Sequence, residues 1–319
     1  MKKNVRVIEN KVTISKYLFE FRNLVSIEQM DMLLDHHYSL NSLKAMTKDW
    51  NLFVEFCKSK SVLAIPASSA AVRLFLEKEA NQRKYATIRR YALTIGLIHR
   101  VTSQQDVIQT PIIQTTLTNI RTTKYGDAKQ TEAFEITHLN RLNALLPKQP
   151  TLIELRNIAI YNIMFECALK RSELKHLKHA DIEIQDERYY VFIGQDRYAL
   201  SAQCSEYLRM WLLHQNGLSE YLFNAVDKHG YISDQPLDDS SIFRILKGAS
   251  EKLNLDVAFS GQSLRVGAVK AMADDGLNAR EIQIFGRWLS PVMPYQYIAN
   301  KAQAEAGKLQ FIRLRHFKY

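Results

Sequence analysis

The stretch SGQSLRVGAVKAMADDGLNAREIQIFGRWLSPVMPYQYI, residues 260–298, decides the fold. It holds three side chains at fixed spacing: Trp288 follows Arg265 by 23 residues, and Tyr297 follows Trp288 by nine. Any one of the chain's 15 tyrosines, taken alone, is more often a packing residue than a reactive group. The spacing of the three side chains, and not any one of them, singles out this stretch.

Helical periodicity, with apolar residues at steps of three and four, recurs over most of the chain. The helices predicted in this way cover 41–60, 72–79, 85–101, 137–146, 152–174 (as two helices), a segment from Ser205 onward with Leu208, Trp211 and Leu212, and 240–253, 263–276 and 279–285. Between Ile182 and Leu200 the period becomes that of β-strands, where the runs IEI, YYVFIG and YAL are separated by turn residues. We expect a mainly α protein with a small antiparallel β-sheet.

Length and composition favour two domains of an ordinary globular protein, with 319 residues, 46% hydrophobic and 24% charged. The polar passage 102–135 ends in TTKYGDAKQTEAF and indicates an exposed linker. We place the boundary near 125–132, which gives an N-terminal helical domain, 1–127, and a C-terminal domain, 128–319. A flexible segment up to about residue 35 is an open alternative within the first domain.

Positive charge is concentrated in the N-terminal part. Residues 1–127 carry 19 basic and 11 acidic side chains, whereas 128–319 carry 24 and 22. The predicted helix 85–101 and the residues before it present a basic, hydroxyl-rich face, which can contact phosphates and base edges of double-stranded DNA. An ordinary solvated face has the same pattern. The residues predicted to bind DNA are Lys44, Lys48, Arg83, Lys84, Thr87, Arg90, Thr94 and Arg171.

The arrangement of the cysteines and the length of the apolar runs indicate the cellular compartment. The three cysteines form no CxxC pair, and no run of 18 or more apolar residues occurs. We expect a cytoplasmic, nucleoid-associated protein without a membrane partner. The pair His176 and His179 has a zinc-like spacing, but no nearby cysteine or glutamate completes a ligand set, so we predict no metal.

Two separated blocks resemble the tyrosine recombinases, or phage integrases, and within them Cre-like enzymes. CALKRSELKHLKHADIEI, residues 167–184, is similar to the family's first arginine box, and residues 260–298 are similar to the box with the second arginine, Gly-x-Trp and the tyrosine. The resemblance extends over about residues 40–315. It implies a helical core-binding domain and a catalytic domain that together form a C-shaped clamp on DNA.

The resemblance also implies a site that cleaves DNA without metal or other cofactor. Tyr297 matches the nucleophile, with Tyr295 as the nearest competitor, and Arg265 matches the second family arginine. Glu173 matches an acid that braces the site, and Trp288 donates from its indole nitrogen. The product is a 3′-phosphotyrosyl linkage and a free 5′-hydroxyl.

Three positions depart from the family pattern. Lys170 stands where an arginine is implied, so a point charge replaces a bidentate fork. Arg197 stands where a proton-donating lysine is implied, and an arginine is a poor proton donor. Gln262 replaces a histidine and cannot act as a base. These changes keep the capacity to bind phosphate and leave cleavage open.

Two functions of different classes follow. The first is a site-specific recombinase for DNA integration or excision, which assembles on DNA as a tetramer. The second is a DNA-binding protein of the same fold, with an architectural, regulatory or plasmid-maintenance role. A general basic RNA or DNA binder would lack a phosphate-sized cluster.

The tail after Tyr297 carries apolar residues at helical spacing, among them Leu309, Ile312 and Leu314. They predict a short amphipathic helix, and the resemblance implies that it docks onto a neighbouring protomer. Packing on its own domain is the alternative.

Overall fold

Helices dominate the chain, as the apolar spacing predicts. The computed structural model describes residues 5–127, 131–215, 217 and 219–298. The chain divides into two compact units, Met1–Gln130 and Thr131–Tyr319. The helices of the first unit's described residues are α1 Lys11–Phe21, α2 Ile27–Leu33, α3 Leu40–Ser59, α4 Ser69–Ala80, α5 Tyr85–Val101 and α6 Pro111–Thr123.

Aromatic side chains form the core of the first unit. The ring centroids of Trp50 and Phe53, both on α3, lie 5.7 Å apart, and Phe53 lies 5.1 Å from Phe75 of α4. Ser39 caps α3, its side chain accepting a hydrogen bond from a backbone N–H of the first turn. The predicted bounds of α5 are confirmed, because its buried residues recur at the spacing read from the sequence.

The beginning of the chain is folded onto this core. Phe21 and Met30, from α1 and α2, are fully buried, and the Phe21 carbonyl accepts a 3.2 Å hydrogen bond from the Trp50 indole nitrogen. A capping box between Ser26 and Gln29 fixes the start of α2. The alternative of a flexible first segment is therefore wrong for residues 11–34.

The polar passage after α5 is also more structured than predicted. It contains a 3-10 turn, Val107–Gln109, and α6, which buries Ile113, Leu117 and Ile120. Several threonines of α6 satisfy their hydroxyls on carbonyls one turn earlier, so polar residues are accommodated within the helix. The polar passage is therefore helical up to Thr123, and the predicted linker around Gly126 comes after α6.

The second unit packs helices around a helix that is buried on nearly all sides. The helices of its described residues are α7 Ile136–Ala144, α8 Leu152–Glu166, α9 Arg171–His176, α10 Ala202–Leu212, α11 Asp239–Lys252, α12 Gly261–Asp274, α13 Ala279–Phe285 and α14 Val292–Tyr297. Helix α8 is the central one, with every residue from Ile158 to Phe165 buried. Helices α10 and α12 pack against it, which brings the start of α12 close to the end of α8.

The predicted antiparallel sheet is confirmed. Its strands are β1 Ile182–Gln185, β2 Arg188–Ile193 and β3 Asp196–Ala199, in the order β1-β2-β3. A second pair, β4 Asn224–Val226 and β5 Ile232–Pro236, was not predicted, since strands this short carry little alternation.

Two predictions concern other parts of the chain. The tail helix through Leu309 and Leu314 lies outside the described residues. Within the described part, no helix is long and apolar enough to span a lipid bilayer.

Candidate active site

Tyr297 lies at the end of α14, against Trp288 and Gln262. The rings of Trp288 and Tyr297 meet edge to face, with centroids 6.0 Å apart, and the Gln262 side-chain amide donates a hydrogen bond to Tyr297 Oη. Burial raises the pKa of Tyr297 above its usual value, while the charge of Arg265 and the hydrogen bond from Gln262 act to lower it. The phenol is therefore protonated at neutral pH, and its oxygen already accepts a hydrogen bond.

Arg265, on α12, is only 4% exposed and lies beside the same tryptophan. Its guanidinium carbon is 4.1 Å from the centre of the Trp288 ring. Its Nη1 donates to the Ala168 carbonyl, and its Nη2 donates to the Gly286 carbonyl at 2.7 Å. Burial lowers the pKa of Arg265 to about 10, so it stays charged at neutral pH. Among the bonds of the described residues, two of its five N–H donors are used, which leaves three for a ligand.

Gly286 is required by the close packing of Trp288. A Cβ at position 286 would lie 1.7 Å from a carbon of the Trp288 ring, so any other residue at this position would push the ring out of its place. The glycine of the Gly-x-Trp motif is therefore required here for a steric reason.

Glu173 joins Lys170 to the cluster. Its carboxylate accepts hydrogen bonds from the Lys170 backbone N–H and from Lys170 Nζ, both at 2.8 Å, at the start of α9. Burial acts to raise the pKa of Glu173, but hydrogen bonds from Arg287 and Lys170 outweigh it and lower the pKa to about 2. The carboxylate is therefore ionised at neutral pH, as a partner of two cations must be.

Arg287 is a member of the cluster that the sequence did not single out. Its Nε and Nη2 donate to the two oxygens of Glu173 at 3.1 and 2.9 Å. Its Nη2 also lies 3.2 Å from the Ala168 carbonyl, the acceptor that Arg265 uses. The only sequence signal for this role is an arginine between the glycine and the tryptophan of the Gly-x-Trp motif.

The comparisons with known proteins give the family of the chain. Residues 133–304, more than half of the chain, match the Phage integrase family. The chain belongs to this family. It is 25% identical over 310 residues to the Cre recombinase of Escherichia phage P1, with 88% of this chain and 90% of Cre covered. A tyrosine recombinase of Synechococcus elongatus is 27% identical over 298 residues, with 84% and 88% covered.

Solved structures give the same fold. The Tn1549 transposon integrase in complex with transposon right end DNA has a TM-score of 0.64 at 11% identity, with 90% of this chain and 100% of that chain covered. The resemblance to tyrosine recombinases read from the two sequence blocks is confirmed by these matches, and so is the mainly α fold with small antiparallel sheets.

Arg197 lies apart from the cluster. Side chains alternate faces along a strand, and on β3 it is Tyr198 that is buried and bonded to the Arg287 guanidinium. Arg197 is therefore on the opposite face, where its guanidinium stacks 3.6 Å above the Tyr190 ring and pairs with Glu183 at 2.9 Å. No contact among the described residues joins it to the tyrosine and arginine of the cluster, although the resemblance implies a proton donor at this position.

The predicted DNA-binding face of the first unit is exposed in part. Thr94 is only 1% exposed and its hydroxyl is 3.5 Å from Asp49 Oδ2, so its prediction as a groove-facing residue is wrong. Arg90 pairs with both oxygens of the same carboxylate at 2.8 Å. The helical spacing placed these residues on one stripe, but the stripe turns toward α3 at its end. The predicted residues that are exposed are Lys44, Lys48, Arg83, Lys84, Arg90 and Arg171, and Thr87 is partly exposed.

The cysteines and histidines show no metal-like grouping in the described ranges. No group of three or more His, Cys, Asp or Glu side chains there could hold a metal ion. Cys57, Cys167 and Cys204 are buried and free. His176 Nδ1 is bonded to the Ser172 carbonyl at 2.7 Å.

Proposed function

We propose that this protein is a site-specific DNA recombinase, which cuts and rejoins DNA through a covalent bond between Tyr297 and a 3′-phosphate. One observation carries the proposal: the Tyr297 phenol and the Arg265 guanidinium lie on the same Trp288 ring. A phenol is a nucleophile, and a buried guanidinium with free donors is a phosphate ligand.

In the proposed step, Tyr297 Oη attacks the phosphorus of one DNA strand, and the bond from phosphorus to the 5′-oxygen of the next nucleotide breaks. The phenol loses a proton and the leaving oxygen gains one, which gives a 3′-phosphotyrosine and a free 5′-hydroxyl. The charge that builds on the nonbridging oxygens is neutralised by Arg265 and Lys170. Attack by a 5′-hydroxyl reverses the step without ATP, because the energy of the phosphodiester bond is retained.

In the part of the chain that the structure describes, no base contacts the Tyr297 hydroxyl directly. Gln262 donates to the phenol oxygen and cannot accept its proton, so it stabilises the phenolate form once the proton has left. Burial raises the pKa of Tyr297, so little of the reactive phenolate is present at neutral pH. The phenolate fraction then increases as the pH rises. We therefore expect covalent capture to accelerate between neutral pH and pH 9.

The assembly is part of the same proposal. The Tn1549 integrase was solved in complex with transposon end DNA. In the protein described here, exposed lysines and arginines lie on α3 and around the start of α5. We propose that the two units clamp duplex DNA in the cytoplasm, at the nucleoid. The protein then assembles as a tetramer in which the segment after Tyr297 is exchanged, without cofactor.

A nicked suicide duplex tests the proposal, once the bound site has been selected from random DNA. The nick lets a short fragment diffuse away after cleavage, so that the covalent protein–DNA adduct accumulates and is seen on a denaturing gel. Tyr297→Phe should abolish the adduct. Tyr295→Phe is the matched control, since two residues turn about 200° around a helix and aim its ring elsewhere. An adduct that survives Tyr297→Phe would exclude this nucleophile.

A second candidate is a DNA-binding protein of the same fold that does not cut. It is favoured by the placement of Arg197, which is paired with Glu183 on the outer sheet face and has no contact with the described cluster. No adduct on the suicide duplex, together with specific binding of the selected site, would establish this alternative.

A further inference from the structure

The lysine at position 170 leaves the phosphate site with one guanidinium fewer than the family resemblance implies. Lys170 offers a single ammonium, which is 45% exposed and uses one donor on Glu173. A point charge fixes a phosphate less well than a planar fork. The carboxylate that Lys170 contacts is, however, held by a second cation from a distant part of the chain.

We propose that Arg287 is a positioning residue, which supplies to Glu173 the guanidinium that the resemblance implies at position 170. This inference rests on the proposed function, because it assigns a role within the same phosphate site. The bidentate pair between Arg287 and Glu173, at 3.1 and 2.9 Å, joins residues that are 114 positions apart. Such pairs fix orientation as well as charge.

The donors of Arg287 are all used within the protein. Besides Glu173, Nη1 donates to the Tyr198 hydroxyl and to the Phe285 carbonyl at 3.0 Å. Nη2 reaches the Cys167 and Ala168 carbonyls at 3.1 and 3.2 Å. An arginine has five N–H groups, and none remains for DNA. Arg287 therefore acts through its neighbours and does not touch the phosphate itself.

The Ala168 carbonyl is the link from Arg287 to Arg265. Both guanidiniums donate to this one oxygen, so the position of one constrains the other. Glu173 in turn holds the ammonium of Lys170. Removing Arg287 would loosen the end of α8, the start of α9 and β3 together, and with them both cations that face the phosphate.

Charge supports the same role. Three cations, Lys170, Arg265 and Arg287, surround one carboxylate, Glu173, so the cluster carries a net charge of +2. The exposed end of this cluster attracts an anion, while Glu173 prevents the guanidiniums from repelling each other out of place. An arginine in this place has a backbone cost, because its φ of 58° is the left-handed region that favours glycine. Strain of this kind persists where the surrounding contacts hold it.

The first test uses four variants and the selected suicide duplex. Arg287→Gly suits the backbone and removes the guanidinium, and it should slow adduct formation about 100-fold while the KM for DNA rises only about fivefold. Arg287→Lys keeps the charge but lacks the planar fork, and its rate of adduct formation should lie between those of the unmodified protein and Arg287→Gly. The double variant Lys170→Arg/Arg287→Gly should regain about tenfold over Arg287→Gly. Arg280→Ala, an exposed arginine on α13, should match the unmodified protein.

The second test does not need cleavage. In the Tyr297→Phe background, duplexes with one neutral methylphosphonate at a time report which phosphate the cations bind. With Arg287 present, a methylphosphonate at one position should weaken DNA binding about tenfold, as expected for the loss of hydrogen bonds to a charged phosphate. With Arg287→Gly, that penalty should fall to about twofold, and Lys170→Arg should restore it.

The outcomes are distinct. No adduct from the unmodified protein, with a methylphosphonate penalty that depends on Arg287, would overturn the proposed cleavage and support the positioning role. The positioning role is overturned if Arg287→Gly reacts at the unmodified rate, if its penalty is unchanged, if no phosphate shows a penalty, or if Lys170→Arg gives no recovery.

Discussion

Replacing Glu173 by glutamine should destabilise the second unit in a manner that depends on pH. Glu173 holds Lys170 and Arg287, and its side chain is 17% exposed. Its pKa is lowered from 4.5 to about 2, because hydrogen bonds from those two cations outweigh the effect of burial. The ionised carboxylate therefore stabilises the folded state relative to the unfolded one.

The magnitude follows from the shift. A difference of about 2.5 pKa units at about 1.4 kcal/mol per unit gives roughly 3 kcal/mol. A lowered pKa means that this contribution is complete above pH 4.5 and is lost as pH falls toward 2. Glu173→Gln should therefore lower the free energy of unfolding by about 3 kcal/mol at pH 7, and the difference should vanish near pH 2.

Urea denaturation at several pH values measures this difference. A Trp50→Phe background leaves Trp211 and Trp288 as fluorescent reporters, both in the second unit. The matched control is Glu183→Gln, which removes an exposed ion pair and should cost at most about 1 kcal/mol at any pH. A difference between Glu173 and its glutamine variant that stays constant from pH 7 to pH 2 would refute the reasoning.

Three further predictions concern single contacts. Phe21→Ala should lower the free energy of unfolding by about 3–5 kcal/mol in a urea titration, since the ring is fully buried. A loss under about 0.5 kcal/mol would mean that α1 is only loosely attached to the core. Gly286→Ala should slow adduct formation about 100-fold on the suicide duplex, because its Cβ displaces the Trp288 ring; an unchanged rate would contradict that packing. Arg197→Ala should change the adduct rate less than about threefold, because Glu183 holds its guanidinium away from the cluster; a loss of 100-fold or more would place it in proton transfer after all.

Local pattern was sufficient for much of the fold. The bounds of α5 were predicted to the residue, because its apolar side chains repeat along a long helix with one buried face. The strands β1 to β3 followed from their β-rich runs and turn residues. Short or polar elements were missed: α1 and α2 are only 11 and seven residues long, and the apolar residues of α6 are interspersed with threonines.

The candidate site divides in the same way. Order and spacing singled out Tyr297, Arg265 and Trp288, and the structure places them against one another. Arg287 was missed, because an arginine in a motif's variable position is indistinguishable from a surface residue until its partner is known. Thr94 was misjudged, since a helical stripe does not say which neighbouring helix will cover one of its ends.

The sequence by itself determined most of the longer helices, the sheet β1 to β3 and the chemical groups that are available, because periodicity and motif spacing are properties of neighbours along the chain. Only the tertiary structure decided which groups meet. Arg265 bonds a carbonyl 97 residues away, Arg287 a carboxylate 114 residues away, and Arg197 falls on the outer face of its sheet. Contacts over such separations depend on how helices and sheet pack, and the burial that drives this packing acts on area, without regard to position in the chain.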